Sequence, residues 1–262
     1  MGVGSRCARA FTLVDVMVSM TVIAVLISIL LPSLNGARET ARRVVCQSNV
    51  RQIGLGVVMY ADDHKGRLPA SQFLSDSRYG GREIAAPQNM LTLRVAESEQ
   101  WNNSGSSGWD GMGLLYHREY LAAPRIFYCP SHRGNYTYSQ MVQVWGEPGV
   151  EIVGNYHFRG AGPSRAAMPG SPATLTSDLY RIDPGQSSLI ADGMREVSDY
   201  NHRNGVNFFR ADLTVHWFAD HARAIGRLLP VDKDAANPMD MANAVNAAWS
   251  LFDAGVANPQ GL

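Results

Sequence analysis

The chain has 262 residues, 45% of them hydrophobic, and its 23 basic and 23 acidic side chains leave it formally uncharged. This length accommodates one membrane helix and one globular domain of about 200 residues. With a pI near 7.1 there is no electrostatic case for nucleic-acid binding. We therefore expect no nucleic-acid partner.

Residues 11–31 are apolar almost throughout. The one charged residue is Asp15, and no charge occurs from Val16 to Leu31. A helix of this length spans about 31 Å, the thickness of a bilayer's hydrocarbon core. The alternatives are a buried soluble helix or a signal-peptide core, which is usually about 7–15 residues long and ends at a small-residue cleavage site. Because the apolar run continues to Pro32, we predict a transmembrane helix at residues 11–31.

The charges before this helix predict its orientation. Arg6 and Arg9 precede it, and basic residues are retained on the cytoplasmic side of a membrane. We therefore predict a single-pass membrane protein with a cytoplasmic N terminus and with the residues after Leu31 outside.

The junction Ala10-Phe11-Thr12-Leu13-Val14-Asp15 resembles the type IV prepilin signal, in which a basic leader is cut before a Phe that opens the pattern FTLxE. The similarity extends over residues 9–59. It implies a leader at residues 1–10, cleavage between Ala10 and Phe11 by a prepilin peptidase, and N-methylation of Phe11. The chain departs from the family by having Ala10 in place of Gly and Asp15 in place of Glu.

Placing the charged side chain of Asp15 in the apolar core of a membrane costs about 2.5–3.5 kcal/mol on insertion scales. We therefore expect its carboxylate to have a partner. The resemblance implies that its carboxylate neutralises the α-amine of a neighbouring subunit and sets the axial register of a filament. The alternative is a hydrated carboxylate at the membrane interface.

Pro32 follows the apolar run and predicts a kink, because proline removes a helical hydrogen bond. The helical pattern then resumes through residues 32–62, and residues 62–66 end it. We predict that this amphipathic part packs on the globular domain through residues three and four apart. The predicted stripe consists of Ala41, Val44, Val45, Ser48, Gln52, Leu55 and Met59.

For the remaining residues, 63–262, we predict a β-rich domain with a loop-rich insert at 67–125. We expect the aromatic side chains of Trp101, Trp109 and Tyr116 to pack this loop onto the domain. A short helix is predicted at 113–121, strands at 125–131, 135–144, 151–158 and 187–192, a hairpin at 204–218 and a helix at 238–252. The fold class is therefore α+β, with a long N-terminal helix packed on an antiparallel sheet. This is a pilin-like arrangement.

Three cysteines occur, and Cys7 lies in the predicted leader. Cys46 and Cys129 would both lie outside the membrane, where a disulfide is chemically permitted. Two packed thiols are the main alternative. A metal site is the weaker one, since no CxxC occurs.

Further segments resemble a large family of bacterial prepilin-type proteins that carry a β-rich domain of unknown function. They include ARRVVCQSNVRQIGLG, GLLY, YLAAPRIFYCPS, SSLIADG and NHRNGVNFFRADLTVHW. That family typically ends in a hairpin of the pattern NHxGGxNVLFADGSVxW, with Gly where this chain has Leu213. The similarity covers nearly the whole chain and informs the fold more than an activity.

We predict no enzyme, no cofactor and no metal. Residue types used in catalysis concentrate in Asp192, His202, Asp212, His216, Asp220 and His221, but no HExxH, GxSxG or comparable spacing occurs. We instead expect Asp212 to bond turn amides and His202 and His216 to be surface or half-buried side chains. Ca²⁺ near Asp62 and Asp63, or near Asp192 and Asp199, is the alternative.

The resemblance implies a pseudopilin or minor pilin-like subunit of a type II secretion or type IV pilus-type filament. Its expected partners are a prepilin peptidase and other pilin-like subunits. The resemblance also implies that the predicted helix lies in the inner membrane, with the C-terminal domain in the periplasm or at the cell surface. The competing hypothesis is a membrane-anchored module that binds a ligand or Ca²⁺ and never polymerises.

Overall fold

The computed structural model describes residues 12–76, 82–84, 86–99, 108–165, 174–202, 204–232 and 236–255. A long N-terminal helix and antiparallel β-sheets make up the fold, which confirms the predicted α+β class. The chain divides into two compact units, Met1–Ala41 and Arg42–Leu262.

Helix α1, Leu13–Asp63, is 51 residues long and belongs to both units. Thr12 and Asp15 exchange hydrogen bonds at its start, and the helix is continuous in secondary structure through Pro32. It ends where Lys65 (φ 57°) and Gly66 (φ 83°) adopt left-handed backbone, and Gly66 N–H donates to the Ala61 carbonyl at 2.8 Å. The predicted stop at residues 62–66 is therefore confirmed, whereas the bend at Pro32 stays a prediction.

The main sheet of the second unit consists of β5 (Tyr156–Phe158), β8 (Ser188–Asp192), β9 (Gly205–Arg210) and β10 (Val215–Ala219). The strand order is β10-β9-β8-β5, and the sheet is antiparallel throughout. The inner strand β8 is fully buried, as expected for an apolar run that continues without alternation.

Two smaller sheets complete the strands of the described residues. One has the order β1-β2-β7-β6 and the other pairs β3 with β4. Their bounds are β1 (Leu74–Asp76), β2 (Arg82–Ile84), β3 (Thr92–Arg94), β4 (Ile152–Val153), β6 (Gly162–Pro163) and β7 (Leu175–Thr176). The loop-rich region predicted at 67–125 thus contributes short strands to both sheets.

The face by which α1 packs in the second unit differs from the prediction. The buried residues step by four and three along the helix, and they are Cys46, Val50, Ile53, Val57 and Tyr60. All seven residues of the predicted stripe are exposed. The prediction was wrong because it grouped polar Ser48 and Gln52 with five apolar residues, whereas the buried register is free of strongly polar side chains.

A glycine sets how closely α1 approaches the main sheet. A Cβ atom on Gly54 would lie 2.5 Å from the ring of Phe209, which is fully buried on β9. The absence of a side chain at position 54 therefore allows the contact between helix and strand.

Helix α4, Pro238–Gly255, confirms the predicted C-terminal helix and covers the main sheet around a second core cluster. Trp249 and Phe252 are buried there, and Phe208 stacks on Phe252 at 4.9 Å. Asp253 fixes the helix to the sheet by accepting hydrogen bonds from Ser188 N–H (2.8 Å) and Arg159 Nη1 (2.6 Å).

Two predicted strands are wrong. Residues 125–131 contain the end of a 3₁₀ turn, Pro124–Phe127, because Pro124 sits at the first helical position, where its missing N–H costs nothing. Residues 135–144 contain helix α3, Tyr138–Met141, and a 3₁₀ turn at Val142–Val144. The main-chain N–H of Thr137 donates to Gln140 Oε1 at 2.8 Å, a helix-start interaction that outweighs the apparent alternation.

The other predicted elements are confirmed. Helix α2, Gly113–His117, lies in the predicted segment, as do β4, β5 and β8. Strands β9 and β10 form the predicted hairpin, and Leu213 in its turn has φ 69°. A left-handed backbone at this position explains why Gly is typical there in the prepilin-type pattern.

Candidate functional site

The first candidate surface is the N-terminal part of α1. Every described side chain from Thr12 to Leu31 is exposed. Among the described residues, α1 is the one helix long and apolar enough to cross a membrane, judged by length and composition. An uncovered apolar surface of this length requires lipid or another apolar surface around it. The helix is therefore a candidate membrane anchor.

Asp15 is hydrogen-bonded within its own helix. Its Oδ2 accepts from the Thr12 main-chain N–H at 3.0 Å and from Thr12 Oγ1 at 2.8 Å, while Asp15 N–H donates to Thr12 Oγ1 at 3.2 Å. This reciprocal pair caps the start of the helix. Both residues are exposed, so a carboxylate oxygen remains open to a partner from outside the chain.

The predicted cleavage residues Ala10 and Phe11 lie outside the described residues, as does Cys7. Cleavage, methylation and the register role of Asp15 stay predictions. The side chain of Pro32 is likewise not described.

Apolar exposure continues along α1 beyond the proposed membrane segment. Val44, Val45, Leu55 and Met59 are between 41% and 56% exposed, although their helix is anchored in the core by its opposite face. Within the second unit, this part of α1 therefore has one face in the domain core and a second, partly apolar face open to solvent.

The second candidate site lies in the core beside this helix. Cys46 on α1 forms a disulfide with Cys129, with Cα atoms 5.4 Å apart. His202 Nε2 lies 3.6 Å from Cys129 Sγ and 3.8 Å from Asp192 Oδ2. All four side chains are buried. The structure thus brings the two cysteines close to Asp192 and His202, two of the residues of catalytic type that the sequence indicated.

The prediction for His202 was wrong: the side chain is 2% exposed, rather than at the surface or half-buried. It lies three residues before the start of β9 at Gly205, and its ring packs edge-on against Trp217 of the neighbouring strand at 5.7 Å. Arg43 covers Trp217 at 4.4 Å. Gly205 permits this packing, because a Cβ there would lie 2.2 Å from the Phe218 carbonyl oxygen and 2.5 Å from the Trp217 ring.

Asp192 ends β8 and is fully buried. Its Oδ2 accepts from Asn207 N–H at 2.7 Å and from Asn207 Nδ2 at 3.1 Å. Burial raises the pKa of this carboxyl, and the neighbouring His202 and the Asn207 donors act in the opposite direction. Tyr156 lies opposite Asp192 on β5, and burial together with that carboxylate holds its pKa well above the usual range.

The other predicted candidates serve local structure. Asp212 accepts from Thr214 N–H at 3.0 Å, as predicted for a turn carboxylate, and His216 is half-buried. Asp220 accepts from Tyr200 Oη and from Gly226 N–H, both at 3.0 Å. The structure does not bring these three residues into the buried group around Asp192.

The proposed Ca²⁺ positions are also engaged. Tyr180 Oη donates to Asp62 at 2.7 Å and Tyr120 Oη donates to Asp63 at 2.6 Å, and both bonds fix the end of α1. Arg195 Nε donates to Asp199 at 2.8 Å. Trp109 and Tyr116 pack together and against Trp145, as predicted for the loop aromatics, whereas Trp101 lies outside the described residues.

The sequence profile of a family described as a protein of unknown function (DUF1559) matches residues 35–195, more than half of the chain. The chain belongs to the DUF1559 family. In this DUF1559 protein the matched segment contains Cys46, Cys129 and Asp192, whereas Asp15 precedes it and His202 follows it.

A curated relative is the ComG operon protein 3 homolog of Bacillus licheniformis. It is 24% identical over 91 residues, which make up 35% of the DUF1559 chain and 93% of the relative. No solved structure matches the chain significantly. Similarity to this short relative thus concerns about a third of the chain.

Proposed function

We propose that this DUF1559 protein is a minor pilin-like or pseudopilin subunit that enters a filament of the type II secretion or type IV pilus kind. The observation that carries the proposal is the wholly exposed apolar surface of α1 from Leu13 to Leu31, headed by Asp15. At family level, the similarity to the ComG operon protein 3 homolog supports a pilin-like minor subunit.

In this proposal the helix is first surrounded by membrane lipid and later by other helices of a filament. It first holds the subunit in the inner membrane, with the N terminus cytoplasmic and the domain outside. A prepilin peptidase then removes residues 1–10 and methylates Phe11. Finally the helix exchanges lipid for the helices of neighbouring subunits, where apolar packing and the pairing of Asp15 with a neighbour's α-amine hold it.

The outward face of α1 in the second unit supports the last step. Val44, Val45, Leu55 and Met59 are apolar and exposed beyond the membrane segment. Neighbouring helices in a filament would cover this face as well. A monomeric anchored module would leave it in water.

Photocrosslinking in native membranes tests assembly. A photoreactive phenylalanine in place of Leu26, which is 55% exposed on α1, should crosslink to a second copy or to another pilin-like subunit. The control position is Val231, which is 85% exposed in the globular unit. Adducts to lipid alone at position 26 would contradict assembly and favour the membrane-anchored binding module.

A further inference from the structure

Four side chains that commonly bind metals converge in the core of the second unit. Cys46, Cys129, Asp192 and His202 each offer one donor atom, and these atoms all lie within 4.8 Å of one another. They come from α1, from the loop after Pro124–Phe127, from the end of β8 and from the entry to β9. Chain segments far apart in sequence thus build one compact donor set.

Two of the donor separations, both measured from His202, are close to those of a tetrahedral zinc site. With Zn–S bonds of about 2.3 Å and Zn–N and Zn–O bonds of about 2.0–2.2 Å, tetrahedral geometry separates sulfur from nitrogen by about 3.6 Å and nitrogen from oxygen by about 3.4 Å. The structure has 3.6 Å from Cys129 Sγ to His202 Nε2 and 3.8 Å from that nitrogen to Asp192 Oδ2. One ring nitrogen of His202 therefore lies close to both of its neighbours in the donor set.

A second observation points to a missing ligand. Asp192 Oδ1 is fully buried and accepts no hydrogen bond of good geometry among the described residues, although burying an unpartnered carboxylate oxygen is costly. The side chain of Asn201 also interacts with this carboxyl, but its Nδ2 donates to the Asn155 carbonyl oxygen at 2.8 Å. The other oxygen, Oδ2, is held by both Asn207 donors. Such outer-shell bonds orient the ligating carboxylate in metal sites.

The chemical types of the four donor atoms indicate which metal ion the site prefers. Thiolate and imidazole ligands suit zinc, whereas Ca²⁺ and Mg²⁺ prefer all-oxygen sites. Two thiolates, one neutral imidazole and one carboxylate also satisfy the four-coordinate geometry of structural zinc. A zinc-class ion therefore fits this group better than the Ca²⁺ considered for Asp192 and Asp199.

We propose that Cys46, Cys129, Asp192 and His202 bind one Zn²⁺ when the Cys46–Cys129 pair is reduced. The disulfide and the metal site are mutually exclusive states of the same two sulfurs. A dithiol reductant gives two electrons and two protons to the disulfide, which becomes two thiols while the reductant becomes a disulfide. Zn²⁺ binding then releases the two thiol protons. The site concerns the core of the domain and does not depend on filament assembly.

Cobalt uptake tests this site with the full chain in detergent. The protein is unfolded and reduced with a phosphine, then refolded without oxygen in the presence of Co²⁺ alone. We expect one Co²⁺ per chain, with sulfur-to-cobalt charge-transfer absorption and the visible bands of tetrahedral cobalt, and full displacement by Zn²⁺. Protein refolded in the disulfide form should show no such absorption.

Substitutions assign the ligands. His202→Ala should weaken Co²⁺ binding at least about 10-fold, whereas His221→Ala, an exposed histidine outside the donor set, should not change it. His202→Cys keeps a ligand in place and should strengthen the charge-transfer absorption by adding a third thiolate. The proposal is overturned if the reduced, refolded wild type takes up no Co²⁺, or if the cobalt spectrum is the same in wild type and His202→Cys.

Discussion

Asp110, in the core of the second unit, has a desolvation cost that its hydrogen bonds offset only in part. Asp110 is 3% exposed, and its carboxylate accepts hydrogen bonds from Ser71 Oγ and Gln72 N–H, both at 2.7 Å. Burial nevertheless prevails over these bonds and raises the pKa of Asp110 to about 6. The folded protein therefore binds this proton more tightly than the unfolded chain does.

The free energy of unfolding should consequently fall as the pH rises through the pKa of Asp110. The pKa is 3.8 in the unfolded chain and about 6 in the folded one, so the contribution is complete only well below pH 3.8 and is lost by about pH 7. Between pH 4 and pH 7 we expect the free energy of unfolding of wild type to decrease by about 2 kcal/mol relative to Asp110→Asn. Denaturant unfolding of both proteins in detergent at pH 4, 5, 6 and 7 measures the difference. A flat difference would contradict the assignment.

Gly54 predicts a second effect at the same scale. Gly54→Ala should destabilise the protein by about 1–3 kcal/mol, because the new Cβ would lie 2.5 Å from the buried ring of Phe209. Gly36→Ala is the matched control in the same helix, where nothing lies within 4 Å. There the higher helix propensity of Ala should stabilise by up to about 1 kcal/mol. Thermal unfolding separates the two, and equal melting temperatures would refute the packing argument.

At the scale of the element, helix α1 has three parts with different roles. Its start is capped by Thr12 and Asp15, its N-terminal part is apolar on all sides, and its C-terminal part buries the face that carries Cys46, Val50 and Ile53. Thr12 donates to Oδ2 of Asp15 alone, so the same carboxylate can cap the helix and pair with a neighbour through its other oxygen. Charge and capping can be separated by substitution.

Asp15→Ala should leave membrane insertion intact and abolish incorporation into filaments. Asp15→Asn keeps an oxygen acceptor for Thr12 but removes the charge, and Asp15→Glu keeps the charge. If the charge sets the register, Asn fails and Glu is incorporated. Immunoblots of membrane and sheared-filament fractions measure both steps. Incorporation of the Asn variant at the wild-type level would reduce Asp15 to a helix cap.

The same helix shows what sequence could predict. Length, hydropathy and the stop at residues 62–66 defined α1 well, because those signals are local. The buried face could not be read reliably, since Val44, Val45, Leu55 and Met59 compete with the core residues in apolar character. Strands β8, β9 and β10 could be predicted from the local sequence pattern. The 3₁₀ turn at Pro124–Phe127 could not, because the helix-start preference of Pro124 outweighed the β-propensity of the aromatic residues after it.

The buried donor set could be predicted only in part. The sequence indicates Asp192 and His202 as residues of catalytic or metal-binding type, and Cys46 and Cys129 as a potential disulfide pair. Nothing local indicated that β8, the entry to β9 and the middle of α1 meet at one point. That meeting depends on sheet order and on the face of α1, which are properties of the tertiary fold.

For the whole molecule, membership of the DUF1559 family covers residues 35–195 and leaves the apolar N-terminal segment outside the match. Its proposed role rests on its own chemistry. An exposed apolar helix, a capped carboxylate at its start and a prepilin-like junction together favour a subunit made for packing with other helices. A monomeric anchor would need the apolar length alone.

The mature N terminus tests this account most directly. Mass spectrometry of the protein purified from native membranes should find a chain that begins at N-methylated Phe11, because cleavage before this residue commits a subunit to the pilin-like route. A chain that retains Met1, or one cut at any other position, would contradict it.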